Sequence, residues 1–398
     1  MQINDDIASD RAVNNPTEYY RQIREHDPIH QSDMWGGWII TKYDDVRALL
    51  RDNQHLSVEV DFGKTKQVEM PATSQFVSQW LVFRDPPEHT QLRGLIAGAI
   101  TERSVQEYRD DIEEIAQSLI TEIRDSDNSE IDFISQFAFR LPAHVICEIL
   151  GIPPEDRHAL KQWSEDITPT VQLFYGEEDR HGRTEKSIRE FSEYLQNQIE
   201  QRRRDPRDDL ITDLIQAEKE GQMLDDEEIV AISMFLLIAG HETTTKLLTN
   251  AVLELSRHPE QRVKILEDES LVPKAVEEIL RYRPPVKGVT RSVIEDFEYN
   301  GNQFKSGERL LLGLASANRD PEKFEKPNTF DITRGSDEHM AFGEGIHTCI
   351  GAPLARLEAQ VALPLFLEAF PDAKVITKDL EWRGSVVHRT LEELRLDI

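Results

Sequence analysis

The sequence predicts a mainly α-helical protein with small peripheral β-sheets. Most segments place apolar residues three and four positions apart, the period of a helix with one buried face. Segments with strand character are few and short: GGWIITK (36–42), VTRSVI (289–294), FEYNG (297–301) and pieces of residues 359–398. No Gly/Ser-rich or Pro-rich linker and no repeat period divides the 398 residues. One domain spanning 1–398 is therefore expected, although length alone would allow two or three.

The helices follow in order. NPTEYYRQIREH (15–26), DDVRALLRD (44–52), PPEHTQLRGLIAGAI (86–100) and SVQEYRDDIEEIAQSLITEIRD (104–125) each carry the helical period. Further helices are expected at 131–150, 154–165, 184–204, 208–219, 225–257, 259–267 and 271–282. Two stretches lack a clear period: 53–82, with Gly63 and Pro71, and 166–183, with Pro169, Gly176 and Gly182. Long irregular segments of this kind are commonly lids or binding loops.

Composition narrows the function. The net charge is −29, from 75 acidic against 46 basic residues. Such an excess repels nucleic acid, whose binding needs clustered Lys and Arg. The basic run QRRRDPRDD (201–209) is interrupted by acids and reads as a solvated loop. The acidity fits adaptation to high salt, where screening removes self-repulsion, as well as it fits an ordinary acidic cytosolic protein. The start MQINDDIASDRAVNNP has no basic n-region and no apolar h-region, so no signal peptide is expected. The longest nearly apolar run, AISMFLLIAG (231–240), is too short to span a bilayer. Two cysteines exclude a disulfide framework and suit a reducing cytoplasm. A cytoplasmic, monomeric protein without membrane anchor is expected.

Those two cysteines differ. Cys147, inside the apolar HVICEIL, reads as a small buried hydrophobe. Cys349 sits in FGEGIHTCIG (342–351), among glycines that permit close backbone approach, just ahead of the helical APLARLEAQ. The positive end of a helix favours a thiolate, which can act as nucleophile or metal ligand. No Cys-x-x-Cys partner or histidine pair points to zinc. A lone axial thiolate to haem iron becomes the attractive reading.

The series Phe342-Gly343-x-Gly345-x-His347-x-Cys349-x-Gly351, then Leu354-Ala355-Arg356, resembles the haem-binding loop of the cytochrome P-450 family. The resemblance extends over roughly residues 15–398, with motifs in the family's order. It implies a triangular helical prism with haem b (iron protoporphyrin IX) between a long oxygen-activating helix and the cysteine-loop helix. It also implies that Cys349 ligates the iron, that Phe342 packs beside the sulfur, and that loop N–H groups bond to the sulfur and tune its electron donation. Gly343, Gly351 and, on the long helix, Ala239 would then border the cofactor.

Three further constellations gain meaning from this likeness. In FLLIAGHETTTKLL (235–248), Thr243 lies four residues after Ala239, so its hydroxyl can compete for that carbonyl. Ala239 and Gly240 keep the surface small enough for a flat macrocycle and dioxygen. Glu242 and Thr243 occupy the acid and alcohol positions of the family's proton-delivery pair. His241 points off this face and reads as structural or solvent-facing. In EEILRYRPP (277–285), Glu278 and Arg281 stand three apart and can pair on a helix. An exposed pair would contribute little, but the resemblance implies a buried network with the segment 317–334, where Arg319 or Arg334 completes it. The resemblance further implies that His89 and Arg93 in DPPEHTQLRGL, Arg291 in VTRSV and His347 hold the haem propionates. Without it, His89 and Arg93 read as charges on a solvated helix face.

The function implied is a haem-thiolate monooxygenase that inserts one oxygen atom of O2 into a C–H bond or double bond. Protons would pass through Glu242 and Thr243, and the second oxygen would leave as water. A peroxygenase driven by hydrogen peroxide would replace the acid–alcohol pair, and a non-catalytic haem sensor would need neither that pair nor large lids. No flavin or nicotinamide fingerprint is present, so electrons are expected from a separate ferredoxin and its reductase. By family position Phe235, Ile238, Ala239, Val289 and Val386 or Val387 would line the pocket, with core packing as the competing account of each apolar member. That lining favours a steroid, terpenoid or fatty acid. Lys287, close by, could meet a carboxylate or simply lie on the surface.

Overall fold

The long helix Asp226–Arg257 forms the axis of the fold. Its start is fixed by a capping box: the Asp225 carboxylate accepts from Glu228 N–H at 2.8 Å, and the Glu228 side chain accepts from Asp225 N–H at 3.0 Å. The computed structural model describes residues 5–7, 9–59, 76–97, 102–126, 128–171, 180–216, 218–219, 222–335 and 338–398.

Two hydrophobic cores meet this helix at opposite ends. Ile229–Ile238 pack into a core shared with Arg140–Ile149, Arg157–Val171 and Arg180–Arg204. Leu247–Leu255 pack into a second, shared with Arg109–Asp125, Val272–Tyr282 and Ala352–Ala369. A helix apolar on all sides must be buried, and the sequence makes both ends so. Between them runs the more polar Ala239–Lys246.

The largest sheet has five strands in the order Ile29–Ser32, Gly37–Ile40, Arg309–Leu312, Val289–Val293, Leu56–Ser57. Arg309–Leu312 is central, parallel to Gly37–Ile40 and antiparallel to Val289–Val293, with Leu310 opposite Arg291. Its faces enter different clusters: Leu310 and Leu312 on one side, Leu311 on the other. A strand buried on both faces reads as a continuous apolar run without alternation, so RLLL gave no strand signal.

Most expected helices appear within a few residues of their predicted limits. Two differences have physical causes. Residues 130–132 form a strand against Arg395–Asp397, so the helix expected from 131 begins only at Arg140, after a π-helical turn. Glu218–Lys219 pair with Gln222–Met223, which ends the helix expected to 219 at Gln216. Within 166–183, residues 166–171 and 180–183 are helical, the first stretch accommodating Pro169, while 172–179 lie outside the described residues. Most of 53–82 also lies outside them, apart from Leu56–Ser57 and the region from Phe76. No helix among the described residues is long and apolar enough to cross a membrane.

The Glu278–Arg281 pair lies at the junction of these parts. Both side chains are essentially buried, and Arg281 donates to the two Glu278 oxygens at 2.7 and 2.8 Å. Arg281 also donates to the carbonyls of Asn318 and Pro327, each at 2.9 Å. Arg334 is the third partner, 3.3 Å from Glu278 Oε2. Arg319 instead bonds to the Tyr282 carbonyl and stacks on that ring, 3.5 Å from its centroid. Removing one member of a buried pair strands the other and costs about 3–5 kcal/mol. Arg281→Met is expected to lower the unfolding free energy by that amount, read as a lower urea midpoint at unchanged slope; a loss below about 1 kcal/mol contradicts the network's role.

Candidate active site

The Cys349 loop is shaped by glycines where only glycine fits well. Gly343 and Gly345 have φ of 68° and 79°, a region side chains other than glycine's rarely adopt. A Cβ on Gly345 would lie 2.8 Å from the Leu50 carbonyl oxygen. The loop closes through Cys349 N–H donating to Phe342 O at 2.9 Å. The helix Ala352–Ala369 begins three residues after the cysteine. Backbone N–H groups of Gly351 and Ala352 donate to the sulfur. The cysteine keeps accessible surface, yet enough protein surrounds it for burial to push its thiol pKa up. These observations together describe a sulfur facing an internal slot rather than bulk water.

Four groups converge beside this loop. The His89 and His347 rings lie 4.2 Å apart. Burial, then His89, Arg291 and Arg93, push the His347 pKa down to about 3. His89 Nδ1 and His347 Nε2 are buried without a hydrogen-bond partner among the described residues. Arg93 donates to Thr348 O at 2.7 Å, and Arg291 donates to Thr290 O at 2.8 Å. Arg291 is 8% exposed, and burial holds its guanidinium down to about 10. Asp85, the one acid that acts on it appreciably, is engaged by Ser57 and by Val58 N–H. Buried cations are ordinarily paired; here they and two unsatisfied histidine nitrogens surround one place. A planar group carrying two carboxylates and needing one sulfur ligand matches this donor set.

On the long helix, Thr243 Oγ1 donates to Ala239 O at 3.1 Å, as its spacing predicts. Thr244, Thr245 and Thr249 bond back one turn in the same way, and the helix runs unbroken. Gly240 serves helix packing: a Cβ there would lie 3.3 Å from Ile146. His241 is structural, not solvent-facing. It is buried, with Nδ1 2.7 Å from Leu237 O and Nε2 3.1 Å from Ser164 Oγ. Glu242 is partly buried and lies 3.4 Å from the ammonium of buried Lys246. Burial lowers the Lys246 pKa and Glu242 opposes that shift.

The expected pocket residues divide among several clusters. Phe235 and Ile238 lie in the first core, with the Phe235 ring 5.7 Å from Trp80. Ala239 and Val289 are half-buried, Val289 at the edge of the sheet cluster. Val386 is 3% exposed and packs with Tyr19, Tyr20, Ile39 and Leu311. Core packing accounts for Val386; half-buried Val387 borders the same cluster. Lys287 is not on the surface but 3% exposed.

The fold and this thiol–cation constellation define a class: a haem-thiolate enzyme of mainly helical architecture. Residues 36–373 match the family model for cytochrome P-450. The polyketide biosynthesis cytochrome P-450 PksS of Bacillus subtilis is 37% identical, with 96% of each chain covered. The structure of P450BioI in complex with a hexadec-9Z-enoic acid-ligated acyl carrier protein superposes with a TM-score of 0.90 at 34% identity, covering 98% of this chain and 100% of that one. CYP109E1 of Bacillus megaterium, in complex with testosterone, gives a TM-score of 0.85 at 34% identity over 96% and 99% of the two chains. The chain belongs to the cytochrome P-450 family and is a monooxygenase with haem as its cofactor.

One clamp escaped the motif reading. Glu277, beside Glu278, accepts from Arg356 at 2.7 and 2.8 Å and lies 3.0 Å from His339 Nε2. Arg356 sits over the Phe342 ring, 4.5 Å from its centroid. The clamp ties both flanks of the cysteine loop to the helix Val272–Tyr282, and the only signal for it was an unassigned glutamate beside a motif. Burial opposes ionisation of Glu277, but hydrogen bonds from Arg356 and His339 prevail and hold its pKa at about 2. A depressed carboxylate pKa adds stability above the unfolded value, lost as pH falls through the folded one. Stability is therefore expected to fall between about pH 4.5 and 2. In Glu277→Gln, urea midpoints across this range should lose part of that slope; an unchanged slope contradicts the clamp.

Proposed function

We propose that this monooxygenase is a single catalytic domain over 1–398 that oxygenates a mainly apolar small molecule, with Cys349 as the iron ligand. The observation that carries the reading is the sulfur, bonded by two N–H groups, beside two arginines and two histidines that, among the described residues, form no ion pair and include two buried ring nitrogens without a hydrogen-bond partner. His89, Arg93, Arg291 and His347 take the propionates by charge-assisted hydrogen bonds. Phe342, Gly343, Ala239 and Gly351 border the macrocycle. The chemistry haem would supply there is activation of O2, with one oxygen going to the substrate and the other to water.

The chain's own groups do the rest. N–H donors to the sulfur stabilise its thiolate form and temper its electron donation. The Thr243 hydroxyl would hold a proton at Oγ1, the group that donates to Ala239 O at 3.1 Å. Glu242 resupplies that proton, and Lys246 fixes the carboxylate one helical turn away. Phe235, Ile238, Val289 and Val387 exclude water and bind apolar substrate. A steroid or fatty acyl chain fits such a lining, and the two structural relatives were solved with ligands of those kinds. Electrons come from a separate ferredoxin and its reductase.

Turnover tests the proton pair. With testosterone or hexadecenoic acid as probe, Thr243→Ala should lower product formed per electron pair and raise hydrogen peroxide release. Glu242→Gln should lower kcat by about 100-fold, with both variants keeping the parental absorption spectrum. Parental coupling and rate in both variants reject the assignment.

A further inference from the structure

Lys287 is a buried ammonium without an anion. The residue is 3% exposed, and among the described residues its nitrogen has neither a hydrogen-bond acceptor nor a carboxylate within ion-pair distance. It is also absent from the polar atoms sealed off from all open space. The nitrogen therefore keeps a small accessible surface. Burial, then the nearby Arg389, push its pKa down to about 7.

Its backbone cannot move away. Lys287 N–H donates to Val387 O at 2.7 Å, and its carbonyl accepts from Ala315 N–H at 2.8 Å. Val286 bridges to His388 on the same turn. Alternation along extended chain places Lys287 on the side of Val289 and Arg291. Gly288 faces the other way, where a Cβ would lie 2.8 Å from Leu312 O. Lys287 is thus aligned with the residue proposed to line the pocket and with the arginine proposed to hold a propionate.

The charges around it have one sign. Lys287 and Lys246 both act on His388, whose Nδ1 is buried without a partner, and burial first of all keeps that imidazole neutral. Arg389 stacks on Trp382, 3.5 Å from a ring centroid, and donates to Asn14 O at 3.0 Å. Glu254, the acid that acts on Arg389, already accepts from Arg283 at 2.6 Å, and Glu242 is held by Lys246. An unpaired buried cation is costly, and an anion arriving in this place would remove the cost.

We propose that Lys287 binds the carboxylate of the substrate, so that this enzyme favours long-chain carboxylic acids over their neutral analogues. This deepens the apolar-pocket reading and rests on it. Loss of the charge removes an ammonium–carboxylate bond in a dry site, whereas the alkyl chain keeps its contacts.

Soret titration of the haem-loaded enzyme with hexadecanoic acid and with methyl hexadecanoate tests the proposal. The acid should bind at least about 10-fold more tightly than the ester. Lys287→Met should bring the ratio close to unity with ester affinity unchanged, and Lys287→Arg should restore the preference. Ester binding with no preference for the acid in the parent protein overturns the proposal while leaving the apolar pocket intact, as does a preference that survives in Lys287→Met. Failure of both ligands to bind overturns the apolar pocket and this proposal together. Should Lys287→Met not fold, the parental acid-to-ester ratio and Lys287→Gln decide it.

Discussion

Cys349 has to present its sulfur at one point and in one direction, and contacts from three separate helices constrain the loop that does so. Gly345 lies against the backbone of Leu50, where any Cβ collides with a carbonyl. Arg47 and Arg51 from the same short helix grip Glu344. Arg93 holds the Thr348 carbonyl, and Glu277 with Arg356 locks the helix that follows. Each contact is ordinary in strength. Together they leave the loop little freedom, which is what a ligand set with one protein atom requires.

The long helix supplies the opposite wall by the same economy of pattern. Apolar residues at both ends anchor it in two cores, and its centre carries the functional polar groups. Those groups are matched within the chain where they can be: threonine hydroxyls to carbonyls, Glu242 to Lys246, His241 to Ser164. Beside the cysteine loop, by contrast, two histidine nitrogens are buried without a partner among the described residues, and the Lys287 ammonium is buried without an anion. Burying cations and imidazole nitrogens without acceptors destabilises a chain on its own. A cofactor that binds only the folded state and satisfies them adds stability by mass action, so on the proposed reading these residues would couple folding to haem.

What could be read in the sequence follows from how local each signal is. The cysteine loop was legible because a close backbone approach demands glycines at fixed offsets, and the capped long helix because its period is unbroken. The central strand Arg309–Leu312 was not, since burial on both faces removes alternation. The strand at 130–132 was missed because its partner lies at the other end of the chain. Arg334 could be told from Arg319 only by geometry, as both are arginines of the same segment, 317–334. Lys287 shows the limit most clearly: its spacing marked it as close to the pocket, but whether it faced water or the interior depended on the turn at Ser385–His388.

The most direct test of the account is the absorption spectrum of the reduced, carbon monoxide-treated protein, recorded for the parent and for Cys349→Ala. The account requires the red-shifted Soret band of thiolate-ligated haem in the parent and its loss in the variant. A parent lacking that band, or a variant that retains it, contradicts the claim that Cys349 holds the iron.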